Sequence, residues 1–216
     1  RQIMESRTRS TRVLGEAVAA CAVPPAVWFN SSTATIYNHT RLDQPANDEY
    51  STNIGSDFSM TVAKEWERVF NEANTPQTRK IALRISIVLG KGGGAMVPLL
   101  RLAKLWLGGT QGSGKQAFSW VHIEDVARSI DFLLQRSDLS GVFNIAQPQP
   151  VSNDEFMRAL RQAVGRSWGL PMPKMLLRFG AVLIRTEAEL ILKSRNVVSR
   201  RLKEAGFRFK YDNRSE

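Results

Sequence analysis

Lys80–Leu89 constrains the fold more than any other segment, because nearly every side chain in it is apolar. The larger apolar residues are Ile81, Leu83, Ile85, Ile87 and Leu89, with Ala82 and Val88 between them. A strand with one face in water alternates apolar and polar residues, whereas a strand covered on both faces is apolar throughout. The segment therefore predicts a buried strand in a parallel sheet.

Helical and extended patterns alternate along the rest of the chain. Helices are predicted at Arg1–Cys21, Asp57–Ala73, Ala95–Leu107 and Ile123–Leu134, and further strands at Ala26–Phe29, Ala117–Val121 and Val142–Ile145. This order predicts an α/β fold with a doubly wound parallel sheet and crossover helices.

The last sixty residues change to helices only. Helix-capping residues mark their starts: Ser152 with Glu155, Thr186 with Glu189, and Ser199 before a helix that stops at Gly206. We therefore expect a sheet domain over residues 1–150 and a basic, mostly helical subdomain over residues 151–216.

A doubly wound nucleotide-binding sheet normally opens with a strand, a Gly-x-Gly-x-x-Gly turn and a helix. This sequence opens within a helical pattern instead. Either the fold is different, or this sequence is the later part of a longer chain whose preceding residues hold the glycine-rich turn.

Composition excludes several classes of site. Cys21 is the one cysteine, so an intramolecular disulfide is excluded, and with only His39 and His122 besides it a structural zinc site is not expected. No apolar run approaches the ~18 residues that span a bilayer. A cytoplasmic protein is expected, with an organelle as the alternative location.

Positive charge is concentrated near the carboxyl terminus. The formal net charge is +10, yet residues 1–157 hold 16 basic and 15 acidic residues, whereas residues 158–216 hold 14 and 5. Such a region attracts phosphates, nucleic acid or an anionic membrane. A solvated helical face explains the same charge equally well.

Six segments in chain order resemble known proteins. Asn30–Tyr37 and Phe118–Ala127 resemble two motifs of the extended short-chain dehydrogenases/reductases. Leu83–Ala95, Leu107–Gly114, Asn153–Phe156 and Leu202–Phe209 resemble the group called epimerase family proteins, described as NAD(P)-dependent sugar-nucleotide epimerases with a C-terminal domain of unknown function.

This resemblance implies a Rossmann-like NAD(P)-binding domain, with NADP or NAD as cofactor and a small-molecule substrate such as a nucleotide sugar. It places Thr33 at the catalytic Ser/Thr position. It assigns Ser31, Ser32, Arg84 and Ser86 to cofactor binding, and Trp120 and His122 to the substrate side. A homodimer is expected, and nucleic acid is not expected as a partner.

The superfamily's catalytic tyrosine, followed four residues later by a lysine, is missing. Lys64 is the one lysine in the predicted helix Asp57–Ala73, and Met60 stands four residues before it. Tyr37 has Arg41 at that spacing, but in a loop. Chemistry that relies on a tyrosine base is therefore in doubt for this chain.

Several candidate residues have a structural alternative. Thr33 at a strand end is also suited to satisfy loop backbone groups. Arg84 on an otherwise apolar strand requires an anion, which is either a ligand or a carboxylate such as Asp57 or Glu67. His122 and Asp125 begin a helix, where an acid favours the helix dipole.

Gly109–Lys115 matches the phosphate-loop pattern, but Gln116 stands where Ser or Thr would bind magnesium and a strand pattern follows, so a nucleotide triphosphatase is rejected. Two functions stay open. One is an NAD(P)-dependent reductase or epimerase. The other is a non-catalytic module of the same fold that binds RNA, a membrane or a protein.

Overall fold

The computed structural model describes residues 2–172 and 193–212. The helices are α1 (Gln2–Ala20), α2 (Phe58–Glu72), α3 (Met96–Lys104), α4 (Ile123–Gln135), α5 (Asn153–Ala163) and α6 (Arg200–Glu204), with a 3₁₀ turn at Ala34–Ile36. The strands are β1 (Val27–Thr33), β2 (Arg79–Ile85), β3 (Ile87–Gly90), β4 (Gly93–Gly94), β5 (Ala117–Phe118), β6 (Trp120–His122), β7 (Gly141–Ile145) and β8 (Val151–Ser152).

A parallel sheet of three strands in the order β1-β2-β7 organises the fold. Its carboxyl edge aligns Thr33 with Ile85 and Ile85 with Ile145. Helices connect the parallel strands, which confirms the predicted Rossmann-like α/β class.

Alternate residues of β2 are buried on opposite faces of the sheet, as the apolar pattern predicted. Ile81 and Leu83 pack with Val126 and Leu133 of α4 in the main apolar cluster. On the other face Arg84 meets α2. Helices therefore cover the strand from both sides, which explains why its central residues, Ile81 to Leu83, are apolar.

The predicted strand Lys80–Leu89 is divided in two. β2 ends at Ile85, and β3 leaves the central sheet to pair with β6 in parallel. Ser86 lies at the division, where its backbone N and its Oγ both donate to the Ile145 carbonyl at 3.0 Å. We attribute the division of the strand to these hydrogen bonds with the distant strand β7. The local sequence does not encode them.

A second predicted strand, Ala117–Val121, is also interrupted. Ser119 separates β5 from β6, and its Oγ donates to the carbonyls of Arg195 and Val197 at 2.6 and 3.0 Å. Long-range partners thus take up the hydrogen-bonding groups at this point. The local pattern of residues 117–121 could not have predicted the break.

The glycine segment after β3 forms a tight hairpin with β4. Gly92 and Gly94 have φ of +86° and +57°, where L side chains are strained. We predicted that Gly90–Gly94 would break the strand. The strand does end in this segment, at Gly90, which pairs with Gly93 of β4.

The helix termini in the structure agree in part with the caps that the sequence predicted. Ser152 and Glu155 form the predicted capping box of α5. Ser199 precedes α6 as predicted but makes no cap hydrogen bond; its Oγ binds the Asn144 and Ala146 backbone instead. The predicted cap at Thr186 lies outside the described residues.

No helix within the described part of the chain is long and apolar enough to cross a membrane.

Candidate functional site

A cavity of about 270 Å³ opens at the carboxyl ends of β1 and β2. Its polar lining comprises Thr33, Thr35, Ser86, Ser119 and Arg195. Apolar side chains, including Ile85, line much of the remainder. Ligands of open α/β sheets bind outside the carboxyl ends of the strands, so this cavity is the candidate site.

Two other cavities, of about 280 and 430 Å³, lie beside α1 and the end of α2. The larger is lined by residues 74–78, which immediately precede β2, and so lies at the amino ends of the strands. Its position is opposite to the edge at which such sheets bind ligands. We therefore assign the site to the cavity that contains Thr33.

Thr33 ends β1 and begins the 3₁₀ turn. Its Oγ1 accepts a hydrogen bond from the Thr35 backbone N at 3.2 Å and lies 2.9 Å from Thr35 Oγ1. The hydroxyl thus satisfies loop backbone, as the structural alternative predicted, and also lines the cavity. One of the paired hydroxyls donates to the other, which leaves the second proton available to a ligand oxygen.

Of the four predicted cofactor-binding residues, only Ser86 lines the cavity. Ser31 is exposed on β1, and Ser32 is buried on the opposite side of the strand from Thr33. Ser32 Oγ donates to Glu67 Oε1 at 2.5 Å. Its hydroxyl is therefore directed to α2.

Arg84 forms the ion pair that was the structural alternative. Its Nε and Nη2 donate to the two carboxylate oxygens of Glu67 at 2.9 and 2.7 Å, and its Nη1 donates to Tyr37 Oη at 2.8 Å. Burial lowers the pKa of Arg84, but the adjacent carboxylate outweighs it, so the pKa is raised overall. Arg84 thus lies beneath the strand ends, with all three guanidinium nitrogens in hydrogen bonds.

Tyr37 is 2% exposed and belongs to the same network. Its hydroxyl donates to Asn144 Oδ1 at 2.9 Å. Burial raises the pKa of Tyr37, although Arg84 opposes the shift. A tyrosine base requires a lowered pKa and access to substrate, so Tyr37 does not replace the missing catalytic tyrosine.

The predicted substrate residues Trp120 and His122 do not line the cavity. Trp120 packs in the apolar cluster around α3 and α5. His122 caps α4, since its Nδ1 accepts from the Glu124 backbone N at 3.2 Å, and its ring lies 3.7 Å from that of Tyr211. The assignment of both side chains to the substrate stays a prediction.

Asp125, beside His122, is fully buried. Its carboxylate accepts hydrogen bonds from the backbone N of Lys210 and Tyr211, at 3.0 to 3.1 Å. Asp125 therefore holds the segment that follows α6 in place, a role that the sequence analysis did not propose. Phe207 and Phe209 of that segment pack on the main apolar cluster.

Sequence reasoning missed Ser119 and Arg195. Arg195 follows Ser119 by 76 residues and belongs to none of the recognised motifs. The basic charge of residues 158–216 was the one signal, and it does not single out a position.

Within the described ranges, 2–172 and 193–212, no group of three or more His, Cys, Asp and Glu could hold a metal ion.

The family model described as the NAD dependent epimerase/dehydratase family matches residues 1–146. The chain belongs to this family. A second model, a domain of unknown function named DUF1731, matches residues 172–214. Epimerase family protein SDR39U1 of Bos taurus is 34% identical over 214 residues, which are 98% of this chain and 70% of that protein. An epimerase family protein of Staphylococcus aureus is 30% identical, over 98% and 69%.

Solved structures of the epimerase family share the fold. Human epimerase family protein SDR39U1, solved with NADPH, superposes with a TM-score of 0.87 at 31% identity, over 96% of this chain and 69% of that one. A nucleoside-diphosphate sugar epimerase from Corynebacterium glutamicum gives 0.76 at 27% identity, over 98% and 40%.

Proposed function

We propose that this protein is an NAD(P)-dependent oxidoreductase or epimerase that acts on a small carbonyl or hydroxyl compound in the cavity beside Thr33. The observation that carries the proposal is the position of Thr33 and Ser86 in a cavity at the carboxyl edge of a parallel sheet. The NADPH in the human relative's structure supports the choice of cofactor.

The cavity lining fits the nicotinamide end of the cofactor. Apolar side chains such as Ile85 and Ile87 suit a flat ring, and the hydroxyls of Thr33 and Ser86 suit its amide. When bound, the nicotinamide supplies or accepts a hydride at a substrate carbon. Thr33 would orient the substrate oxygen through its hydroxyl pair with Thr35, whose one uncommitted proton would be donated to that oxygen.

No described tyrosine supplies the proton that carbonyl reduction also requires. Tyr50 and Tyr211 donate to Glu204 and Glu124, and Tyr37 is buried. This observation favours the second candidate function, a non-catalytic module of the same fold that binds RNA, a membrane or a protein. Turnover of NADPH with any carbonyl compound separates the two.

Other parts of the proposal go beyond the cavity. They are a nucleotide sugar among the candidate substrates, which the relatives suggest, a homodimer, and a cytoplasmic or organellar location. We also propose the division of the chain into residues 1–150 and 151–216.

The test is a fluorescence titration of the full-length protein with NADPH and with NADH. We expect saturable binding that Thr33→Val weakens, because the cavity loses a hydroxyl while the side-chain volume is kept. Thr8→Val on α1 serves as the control and should bind as the wild type does. Absence of binding for both nucleotides, or equal binding by Thr33→Val, contradicts the proposal.

A further inference from the structure

Two neighbouring loops present large apolar side chains to solvent. Leu105 caps the end of α3, and Trp168 and Leu170 follow α5; their exposed fractions are 66%, 58% and 51%. The half-buried Trp106 joins them, because its ring centre lies 5.1 Å from that of Trp168. We call Leu105, Trp106, Trp168 and Leu170 the tryptophan patch. Single exposed apolar residues are ordinary, whereas a contiguous group of them marks an interaction surface.

Backbone contacts hold the two loops of the tryptophan patch together. The Leu170 backbone N donates to the Trp106 carbonyl at 2.7 Å. Gly109 and Gly169 allow this approach, since a Cβ on Gly109 would lie 2.4 Å from the Gly169 carbonyl oxygen. The patch is therefore preformed, and ordering it on binding costs little.

Trp106 stands where a helix commonly ends in glycine. The backbone N of Trp106 and of Leu107 donate to the carbonyls of Ala103 and Leu102 at 3.2 and 2.9 Å, which is the pattern of a Schellman turn. Trp106 is the left-handed residue of that turn, with a φ of +64°, where L side chains are strained. A residue strained in this way points to a function for the side chain that it presents.

Basic side chains surround the tryptophan patch. Arg101 and Lys104 are exposed in the last turn of α3, and the guanidinium carbon of Arg166 lies 4.5 Å from the centre of the Trp106 ring. The two stretches of sequence that contribute to the patch, residues 73–123 and 156–186, contain neither Asp nor Glu. The charge around the patch is therefore complementary to an anionic surface.

We propose that the tryptophan patch docks on the surface of an anionic lipid bilayer. Tryptophan is suited to the depth of the lipid headgroups, leucine to the acyl boundary below them, and each nearby Lys or Arg adds attraction to anionic lipid. The protein would lie on such a membrane without crossing it. No patch residue lines the Thr33 cavity, so this inference does not depend on the proposed cofactor.

Two other occupants fit these observations less well. A second copy in a symmetric dimer would bring the same patch, with the same positive charges, to both sides of the interface. Single-stranded RNA stacks its bases on aromatic faces, but Arg166 and Trp168 already lie against the Trp106 ring. The exposed leucines offer a base no surface to stack on, whereas a bilayer accepts them.

The experiment is flotation of the full-length protein with two kinds of vesicle. One kind contains phosphatidylcholine alone, and the other contains phosphatidylcholine and phosphatidylglycerol in equal amounts. We expect the protein to float with the anionic vesicles, and this binding to weaken at high salt because surface charges are screened. Binding to neither kind of vesicle, or equal binding to both, overturns the proposal.

Variants locate the binding on the tryptophan patch. Leu105→Glu should weaken binding to the anionic vesicles by about 10-fold or more, because an inserted leucine is lost and the new charge is repelled by the lipid. Lys104→Gln should weaken it less. Leu134→Glu on α4 changes a leucine that is 54% exposed, so it is the matched control and should bind as the wild type does. Equal effects of the two glutamate variants overturn the proposal.

Two further measurements distinguish the other occupants. A dimer in analytical ultracentrifugation that Leu105→Glu dissociates would assign the patch to a second copy. Retention on RNA without vesicle binding would assign it to RNA, and either result overturns the proposal. A urea unfolding curve of each variant identifies any that has lost its fold; if Leu105→Glu has, Leu170→Gln decides. NADPH binding should be unchanged in Leu105→Glu, and its absence from the wild type refutes only the proposed function.

Discussion

Glu67 shows how a buried charge is accommodated beneath the candidate site. Its carboxylate accepts from Ser32 of β1 and from Arg84 of β2, so one α2 side chain connects the ends of two adjacent strands. The sequence predicted that Arg84 needs an anion and named Glu67 among the choices. It could not decide between a ligand and a carboxylate, because that depends on how α2 packs on the sheet.

Glu67→Gln tests this pair. It leaves the Arg84 charge without a carboxylate, and breaking a buried ion pair costs about 3–5 kcal/mol. We expect a fall of that order in the free energy of unfolding, measured by urea denaturation. The double variant Glu67→Leu with Arg84→Met should recover much of it. Equal stability of Glu67→Gln and the wild type would contradict this account.

Glu49 predicts a pH dependence. Its carboxylate accepts from the backbone N of Asn144, Arg200 and Arg201. Burial nevertheless raises its pKa above the ordinary value of 4.5. The folded state then binds the proton more tightly than the unfolded state. The resulting stability is present below pH 4.5 and is lost as pH rises through the higher, folded-state pKa.

The measurement is the free energy of unfolding of the wild type and of Glu49→Gln across this pH window. The wild type should lose stability relative to the variant as pH rises above 4.5. Glu16→Gln, an exposed change on α1, should run parallel to the wild type. A difference that grows in favour of the wild type with rising pH would refute the prediction.

At the scale of elements, the sequence predicted helices better than strand ends. The amphipathic pattern located α2 and α4 to within one residue at each terminus, because packing of one apolar face decides where such a helix lies. The strands broke at Ser86 and Ser119, where hydroxyls bind carbonyls 59 and 76 residues away. No local pattern carries that information.

The segment after α6 depends on α4 through Asp125. We expect Asp125→Asn to speed hydrogen exchange at the amides of Lys210 and Tyr211 by about 10-fold or more, because charge-assisted hydrogen bonds are lost. Exchange is measured by NMR. Asp131→Asn, exposed on the same helix, is the control. Unchanged exchange at both amides would show that the carboxylate is dispensable.

At the scale of the whole molecule, the fold was predictable and the site was predictable only in part. Alternating helices and strands identified the parallel sheet, and the motif around Thr33 located one wall of the cavity. Arg195 and Ser119 complete another wall through contacts between distant segments. Trp120 and His122, assigned to the substrate by resemblance, do not line this cavity but contribute to packing and to a helix cap.

The central claim is that the carboxyl edge of the sheet binds the nicotinamide cofactor. Hydrogen–deuterium exchange of the full-length protein, with and without NADPH, tests it most directly. The account predicts slower exchange in residues 33–36 and 85–88, and unchanged exchange in residues 74–78 at the opposite edge. Protection confined to residues 74–78 and α1, with none around Thr33, would contradict it.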